Sequence, residues 1–389
     1  MELNTLTYLA ICIFSCLLAG KLVKRIQLPN VTGYLVMGIL IGPYVLNLVP
    51  ADMVEKFGII SEMALGFIAF SIGAEFKLSY LKKVGKAPVV IAFTEALGGV
   101  LAVDLVLIAM GQDPAFSLCL GAIAAATAPA ATLMVVKQYK AKGPVTQTLL
   151  PVVALDDAAA LMAFGVSVAI AKAISSGEVD IAKTILDPLW EIGGAFVFGA
   201  VLGFFISLLV RYFHSRGNRL SIAIAGVFLC VGVCDMVGFS SLLACMMMSA
   251  LFVNLSDESD KVFELVDRMT PPLFMLFFLL SGADLNLRII PTVGVVGAIY
   301  VVMRMVGKVL GSAAGCKISH AEPVVSKWLG FTLIPQAGVA IGLSSVAMTV
   351  VPEHGPAIRA IILCGTVIYE LTGPVITKIA LTKAGEIKA

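Results

Sequence analysis

"PVVALDDAAALMAFG" (residues 151–165) sets two adjacent aspartates, Asp156 and Asp157, inside an apolar run. What kind of helix this is depends on the rest of the chain. The 389 residues are 59% hydrophobic and 13% charged, with a mean hydropathy of +1.01. Soluble domains carry about 25% charged residues. The chain therefore lacks the polar surface to meet water on all sides, and it reads as an all-α polytopic membrane protein. The run around the aspartates is then a membrane-spanning helix. An acid at that depth is costly and faces the protein interior or a wet cavity.

Thirteen apolar stretches follow one another from 5–22 to 356–382. Most reach the ~20 residues that cross ~30 Å of hydrocarbon. They include 115–136, 145–172, 261–282, 290–315 and 324–350. The opening "MELNTLTYLA" lacks the basic region of a cleavable signal. No long polar segment suggests an appended soluble domain. The eight cysteines form no CxxC pair and lie almost all in apolar runs, which suits small hydrophobes packed between helices.

Basic residues alternate between connections. Lys21, Lys24 and Arg25 fall in one set, with Lys77, Lys82, Lys83, Lys86, Lys137, Lys140, Lys142, Arg211, Arg216 and Arg219. The opposite set holds only Lys56, Lys172, Lys183, Arg288 and Arg359. The positive-inside rule places the N-terminus outside and the C-terminus in the cytoplasm. The acidic stretch "NLSDESDK" (254–261) falls on the basic side and has no account at this level.

An odd span count suggests a first six-helix repeat over 1–172, a linker helix over 187–211 and a second, inverted repeat over 219–389 within one transporter unit, 1–389. The fifth span of each repeat carries a breaker. One is "ATAPAAT" (126–132), with Pro129; the other is "LIPQAGVAIG" (333–342), with Pro335, Gln336 and Gly338. Proline inside a helix removes a hydrogen bond and clashes with the preceding turn. Interrupted helices at matching positions of two repeats point to a transport site.

Helix rise places the buried charges. Asp156 lies 11 residues inside its span and Arg304 11 residues from the end of its own, about 16 Å each at ~1.5 Å per residue. Glu95 and Thr127 fall near the same level, and Lys308 follows Arg304 by one turn. Asp156, Asp157 and Glu95 outweigh Arg304 and Lys308 by one negative charge. That leaves room for a bound cation or a proton. Adjacent helix residues diverge by about 100°, so the two aspartates cannot both face one partner. Asp157 is read as the cation ligand, and Asp156 as its coupled partner and proton carrier. Hard cations prefer oxygen ligands, which Thr127, Thr132 and the carbonyls of the broken helices would supplement. Asp104 is expected at the interface, and His214, His320 and His354 at helix ends.

Five motifs in order carry a family resemblance: "LPNVTGYLVMGILIGP" (28–43), "SEMALGFIAFSIGAEF" (61–76), "TAPAAT" (127–132), "ALDDAAAL" (154–161) and "RMVGKVLG" (304–311). Together they resemble the second family of monovalent cation:proton antiporters, most nearly its NapA-type sodium/proton members and more distantly the Kef-type potassium efflux proteins. The resemblance implies an NhaA-like fold with two crossed, discontinuous helices. It implies a core ion-binding domain, expected over 57–172 and 261–350, a dimerisation domain from the remaining helices, a homodimer, and an elevator-like motion. It maps the ion-binding pair onto Asp156 and Asp157 and the small polar residue of the first broken helix onto Thr127.

Two departures stand out. NapA-like members commonly have lysine where this chain has Arg304. Arginine does not lose its proton, so Arg304 is expected as a permanent ion-pair partner of Glu95 or Asp156. Relatives also carry an acid near "PQAG", where this chain has Gln336 and Gly338. The function expected is sodium (or lithium)/proton antiport in the cell (inner) membrane. No enzyme activity, cofactor or nucleic-acid partner is expected; the transported ions, Na+ or Li+ and H+, are cargo. Potassium/proton antiport and sodium-coupled organic-anion symport are the alternatives. An intramembrane aspartyl protease would need its two aspartates on different helices.

Overall fold

The computed structural model describes residues 4–25, 28–74, 76–78, 85–176, 181–285 and 294–387. Within these helices the side chains at 157–158, 161, 165, 168–169, 172–176, 181–189, 338, 345–346 and 349–350 lie outside the description. The regular elements among the described residues are all helices, with no strand. Lipid offers no partner for backbone N–H and C=O groups, and a helix satisfies them within itself. Among the described residues, seven helical segments are long and apolar enough to cross a bilayer. The protein is an integral membrane protein.

The chain divides into two compact units, 1–83 with 189–285, and 84–188 with 286–389. Gly58–Gly73 and Pro271–Asp284, expected in the core, pack within the first unit.

The first unit contains α1 (Thr5–Arg25), α2 (Asn30–Ile41), α3 (Ala51–Lys56) and α4 (Gly58–Gly73). After α9 (Ile181–Tyr212) it continues with α10 (Arg216–Val237), α11 (Ser241–Leu255), α12 (Ser259–Met269) and α13 (Pro271–Asp284). Helix α2 lies on α13 at backbone contact: a side-chain carbon on Gly38 would collide with the carbonyl of Leu279. The stretch 261–282, expected as one span, is two helices. Pro271 and Pro272 open the apolar α13, and proline at a helix start costs nothing because its N–H would be unpaired anyway.

Helix α12 is short and amphipathic, burying Val262 and Val266 while Arg268 and Glu264 pair in the open at 2.6 Å. Its acidic lead-in now has a reason. Glu258 accepts from Arg219 at 2.6 Å and lies 2.9 Å from Lys261, and Asp260 lies 3.5 Å from Lys77. The acids of 254–261 thus pair with Arg219 in the first turn of α10 and with Lys77 in the segment after α4. Those contacts, led by the hydrogen bond to Lys261 and followed by that to Arg219, hold the Glu258 carboxyl below its ordinary range.

The second unit contains α5 (Ala87–Ala109), α6 (Pro114–Ala124), α7 (Pro129–Tyr139), α8 (Pro144–Ser176), α14 (Gly294–Ile318), α15 (Pro323–Thr332), α16 (Gly338–Val350) and α17 (Gly355–Lys383). Helix α5 shows how lipid inverts the usual pattern. Val89, Phe93, Leu97, Leu101 and Leu105 line an exposed apolar stripe, while Glu95, on the other side, is fully buried. Two apolar clusters fill the unit. One gathers Val100, Leu107, Leu120, Phe164, Tyr300 and Ile362; the other gathers Ile91, Val145, Val152, Cys316, Leu329 and Leu381. On α5 the clusters meet between Ala92 and Ala96, and on α8 between Val153 and Ala159. Glu95 and Asp156 stand at those junctions.

Candidate functional site

Both expected breaks are present. Helix α6 ends at Ala124 and α7 begins at Pro129; α15 ends at Thr332 and α16 begins at Gly338. Pro129 is not a kink in a continuous helix but the first residue of a new one, which suits its fixed φ. The residue before a proline is pushed to extended backbone, and Ala128 has φ −91° and ψ 108°. The two interruptions are joined directly: the Ala128 N–H donates to the Pro335 carbonyl at 2.8 Å.

A broken helix leaves carbonyls without intrahelical partners, and its C-terminal end carries partial negative charge. Here protein donors take them up. Gln336 Nε2 donates to Ile123 at 3.0 Å, and Arg304 Nε to Ala124 at 3.1 Å. Lys308 Nζ donates to Ala125 at 2.6 Å, and Arg304 Nη2 to Ala126 at 2.6 Å. On the second break, Thr132 Oγ1 donates to Thr332 at 3.0 Å, Thr127 Oγ1 to Leu333 at 3.4 Å and Arg304 Nη1 to Ile334 at 2.7 Å. The carbonyls expected to ligate a cation are therefore already engaged by side chains and backbone.

Arg304 is thus not the expected ion-pair partner of Glu95 or Asp156. Its planar fork suits three carbonyls presented from two helix ends, and its guanidinium carbon also lies 4.5 Å from the centre of the Tyr369 ring. The carboxylates belong to Lys308 instead. Its Nζ is 2.8 Å from Glu95 Oε2 and 3.3 Å from Asp156 Oδ2, and all three side chains are fully buried. Among the described residues, no hydrogen-bond donor reaches Glu95 Oε1 or Asp156 Oδ1. One ammonium thus stands against two carboxyls in this cluster.

Close helix approach makes this cluster. A side-chain carbon on Gly98 of α5 would lie 2.5 Å from the Gly307 carbonyl oxygen of α14. Gly307, Gly311 and Gly315 repeat every four residues on α14, a small-residue face that lets backbones touch in a membrane. Lys308, beside Gly307, thereby reaches Glu95.

Of the other sequence candidates, Asp157 occupies the position after Asp156 on α8, but its side chain lies outside the described residues. Gly338 opens α16, and its surroundings also lie outside the description. Asp104, expected at an interface, is instead buried, with its Oδ1 over Gly121 of α6. His354 Nε2 pairs with Asp113 Oδ1 at 3.2 Å.

Two participants escaped sequence reading. Tyr300 is fully buried and hydrogen-bonded to Gln336 at 3.0 Å, and Tyr369 packs under Arg304. Tyr300, Arg304, Lys308 and Ser312 recur every fourth residue and are all fully buried. That period was legible in the sequence as one polar stripe on one helix.

The profile of the transmembrane sodium/hydrogen exchanger family matches residues 10–383. The high-affinity Na+/H+ antiporter NhaS3 of Synechocystis is 22% identical to this chain, over 93% of this chain and 87% of its own length. The K+ efflux antiporter 5 of Arabidopsis thaliana is 28% identical, but over only 28% of this chain and 18% of its own. Two solved structures of the sodium proton antiporter MjNhaP1 from Methanocaldococcus jannaschii share the fold. One, at pH 8, has a TM-score of 0.72 at 19% identity, covering 98% of this chain and 96% of that one. The other has a TM-score of 0.80 at 20% identity over the full length of both.

Proposed function

The chain belongs to the sodium/hydrogen exchanger family, and from that premise we propose that it exchanges sodium or lithium for protons across the cell membrane. The observation that carries this reading is the buried cluster in which Glu95 and Asp156 share the single ammonium of Lys308. A buried charge needs a partner. With both carboxyls ionised the cluster is one positive charge short. Either a proton or a monovalent cation supplies it, and the two then compete for the same oxygens. Asp156 and Asp157 are the ligands in this scheme. Thr127 and Thr132 support the site by tying the first broken helix to the second.

Antiport follows from competition at one site that opens to each side of the membrane in turn, with no covalent chemistry. The ion-carrying body is the second unit, in an elevator-type motion, with the first unit serving dimerisation. The breaks at 125–128 and 333–337 belong to two crossed helices in a 13-helix inverted repeat with its N-terminus outside. Apolar clusters on both sides of the Glu95–Asp156 level support a site closed to water between exposures.

Proteoliposomes test this reading. With an imposed pH gradient, external sodium or lithium should drive proton movement, and Asp156→Asn should reduce it to the level of empty vesicles. Potassium is the third arm, and proton movement with potassium alone would transfer the assignment to potassium/proton antiport. Folded wild-type protein that moves no protons with any of the three cations would overturn the proposal.

A further inference from the structure

The helix that bears Asp156 begins with a cap that it does not supply itself. Helix α17 ends at Lys383, and the chain then turns through Gly385, whose φ is +79°. The Glu386 N–H donates to the Leu381 carbonyl at 2.9 Å and the Gly385 N–H to Thr382 at 3.0 Å. A left-handed glycine with a bond reaching back five residues is the Schellman arrangement. It aims Glu386 at the start of α8. There its carboxylate accepts from the Val145 N–H at 2.5 Å, the Thr146 N–H at 2.8 Å and the Thr146 hydroxyl at 2.6 Å. The Lys142 N–H donates to the Glu386 carbonyl at 3.2 Å. Gly143 leaves the space: a side-chain carbon there would lie 2.6 Å from the Glu386 carboxyl. Leu381 and Ile387 anchor the turn in the same apolar cluster as Val145 and Leu149.

A carboxylate on the first N–H groups of a helix satisfies orphan donors and opposes the positive end of the dipole. In α8 the first turns depend on that support more than in a regular helix. Pro151 stands inside α8 and has no N–H to give to the preceding turn. The turns before it are tied one bond more weakly to the stretch that carries Asp156, five residues further on.

We propose that Glu386 is a positioning residue for the ion site, acting as the N-cap of α8 from a remote part of the chain and so setting where Asp156 stands against Lys308. The inference rests on the reading of Asp156 as an ion ligand. The segment after α17 would then hold the ion-binding helix from its end.

Two measurements on the full chain separate this from a general stability role. The first is amide hydrogen exchange in membranes. Glu386→Gln removes the charge and turns one acceptor oxygen into a donor. It should speed exchange at Val145 and Thr146 while leaving the first turn of α5 unchanged. The second is sodium-driven proton movement in proteoliposomes. Loss of one cap corresponds to roughly fivefold in an equilibrium constant. The apparent KM for sodium should rise by about that factor with the maximal rate little changed. Thr146→Val, a milder change, should shift both readouts in the same direction and keeps the test open if Glu386→Gln does not fold.

Faster exchange in α8 with an unaltered KM and pH profile would reduce Glu386 to a structural cap and overturn the proposal. So would unaltered exchange at Val145 and Thr146. A wild-type protein that moves no protons would sink the antiport reading, while the cap itself would still be scored by the amide measurement.

Discussion

At the scale of the residue, the two buried cations divide their work by shape. Arg304 offers rigid, directed donors and serves three carbonyls; Lys308 offers a compact charge and serves two carboxyls and a carbonyl. The sequence placed both among the buried charges and misassigned their partners, since i and i+4 on one helix face are equivalent until a neighbour's position is known. Removing one member of a buried pair leaves an uncompensated charge, at a cost of about 3–5 kcal/mol. Lys308→Gln should therefore lower the unfolding temperature in detergent sharply. Adding Asp156→Asn should recover part of that loss, because the second change removes one of the stranded charges. A double-mutant cycle measures the coupling, and strictly additive losses would contradict the pairing described here.

At the scale of the element, backbone contact between α5 and α14 brings Glu95 to Lys308. A side-chain carbon on Gly311 would meet the Thr94 carbonyl and the Glu95 backbone of α5. Gly311→Leu has no flexible neighbour to displace. Overpacking of this kind costs about 1–3 kcal/mol, and here it should also part Lys308 from Glu95. The expected result is reduced exchange at unchanged membrane insertion, and Gly311→Ala should be the milder of the two. An exposed glycine with open space around it, such as Gly342, should tolerate alanine. Equal effects at Gly311 and Gly342 would remove close approach as the explanation.

At the scale of the whole molecule, each unit has its own organising device. The second has the buried polar level between two apolar clusters. The first has ion pairs that join three separated segments through Glu258, Asp260, Arg219, Lys261 and Lys77. Glu258 is held below its ordinary value. A depressed carboxyl contributes stability that is present above the unfolded value, near pH 4.3 for glutamate, and lost as pH falls through the folded one. Exposed pairs are individually weak. Acidification below about pH 4.3 should therefore loosen the 254–261 loop, detectable as faster proteolysis or amide exchange there. Glu258→Gln should already show the looser loop at neutral pH and little further change on acidification. A loop equally protected in both proteins at both pH values would argue against the pairing.

The sequence by itself determined the membrane class, the two helix breaks and the burial of Glu95, Asp156, Arg304 and Lys308. Hydropathy, proline chemistry and a fixed rise per residue are local properties, so they are written along the chain. The acidic loop, the split of 261–282 into α12 and α13, the burial of Asp104 and the boundary between the units were decided by packing against remote segments. The assignment of Lys308 rather than Arg304 to the carboxylates was decided the same way. The partners of Arg304 are backbone carbonyls, which leave no mark on residue type, and the reach of Lys308 is set by how closely two glycine faces approach. Partner choice among buried charges depends on distances of an ångström between helices, and only the tertiary structure contains them.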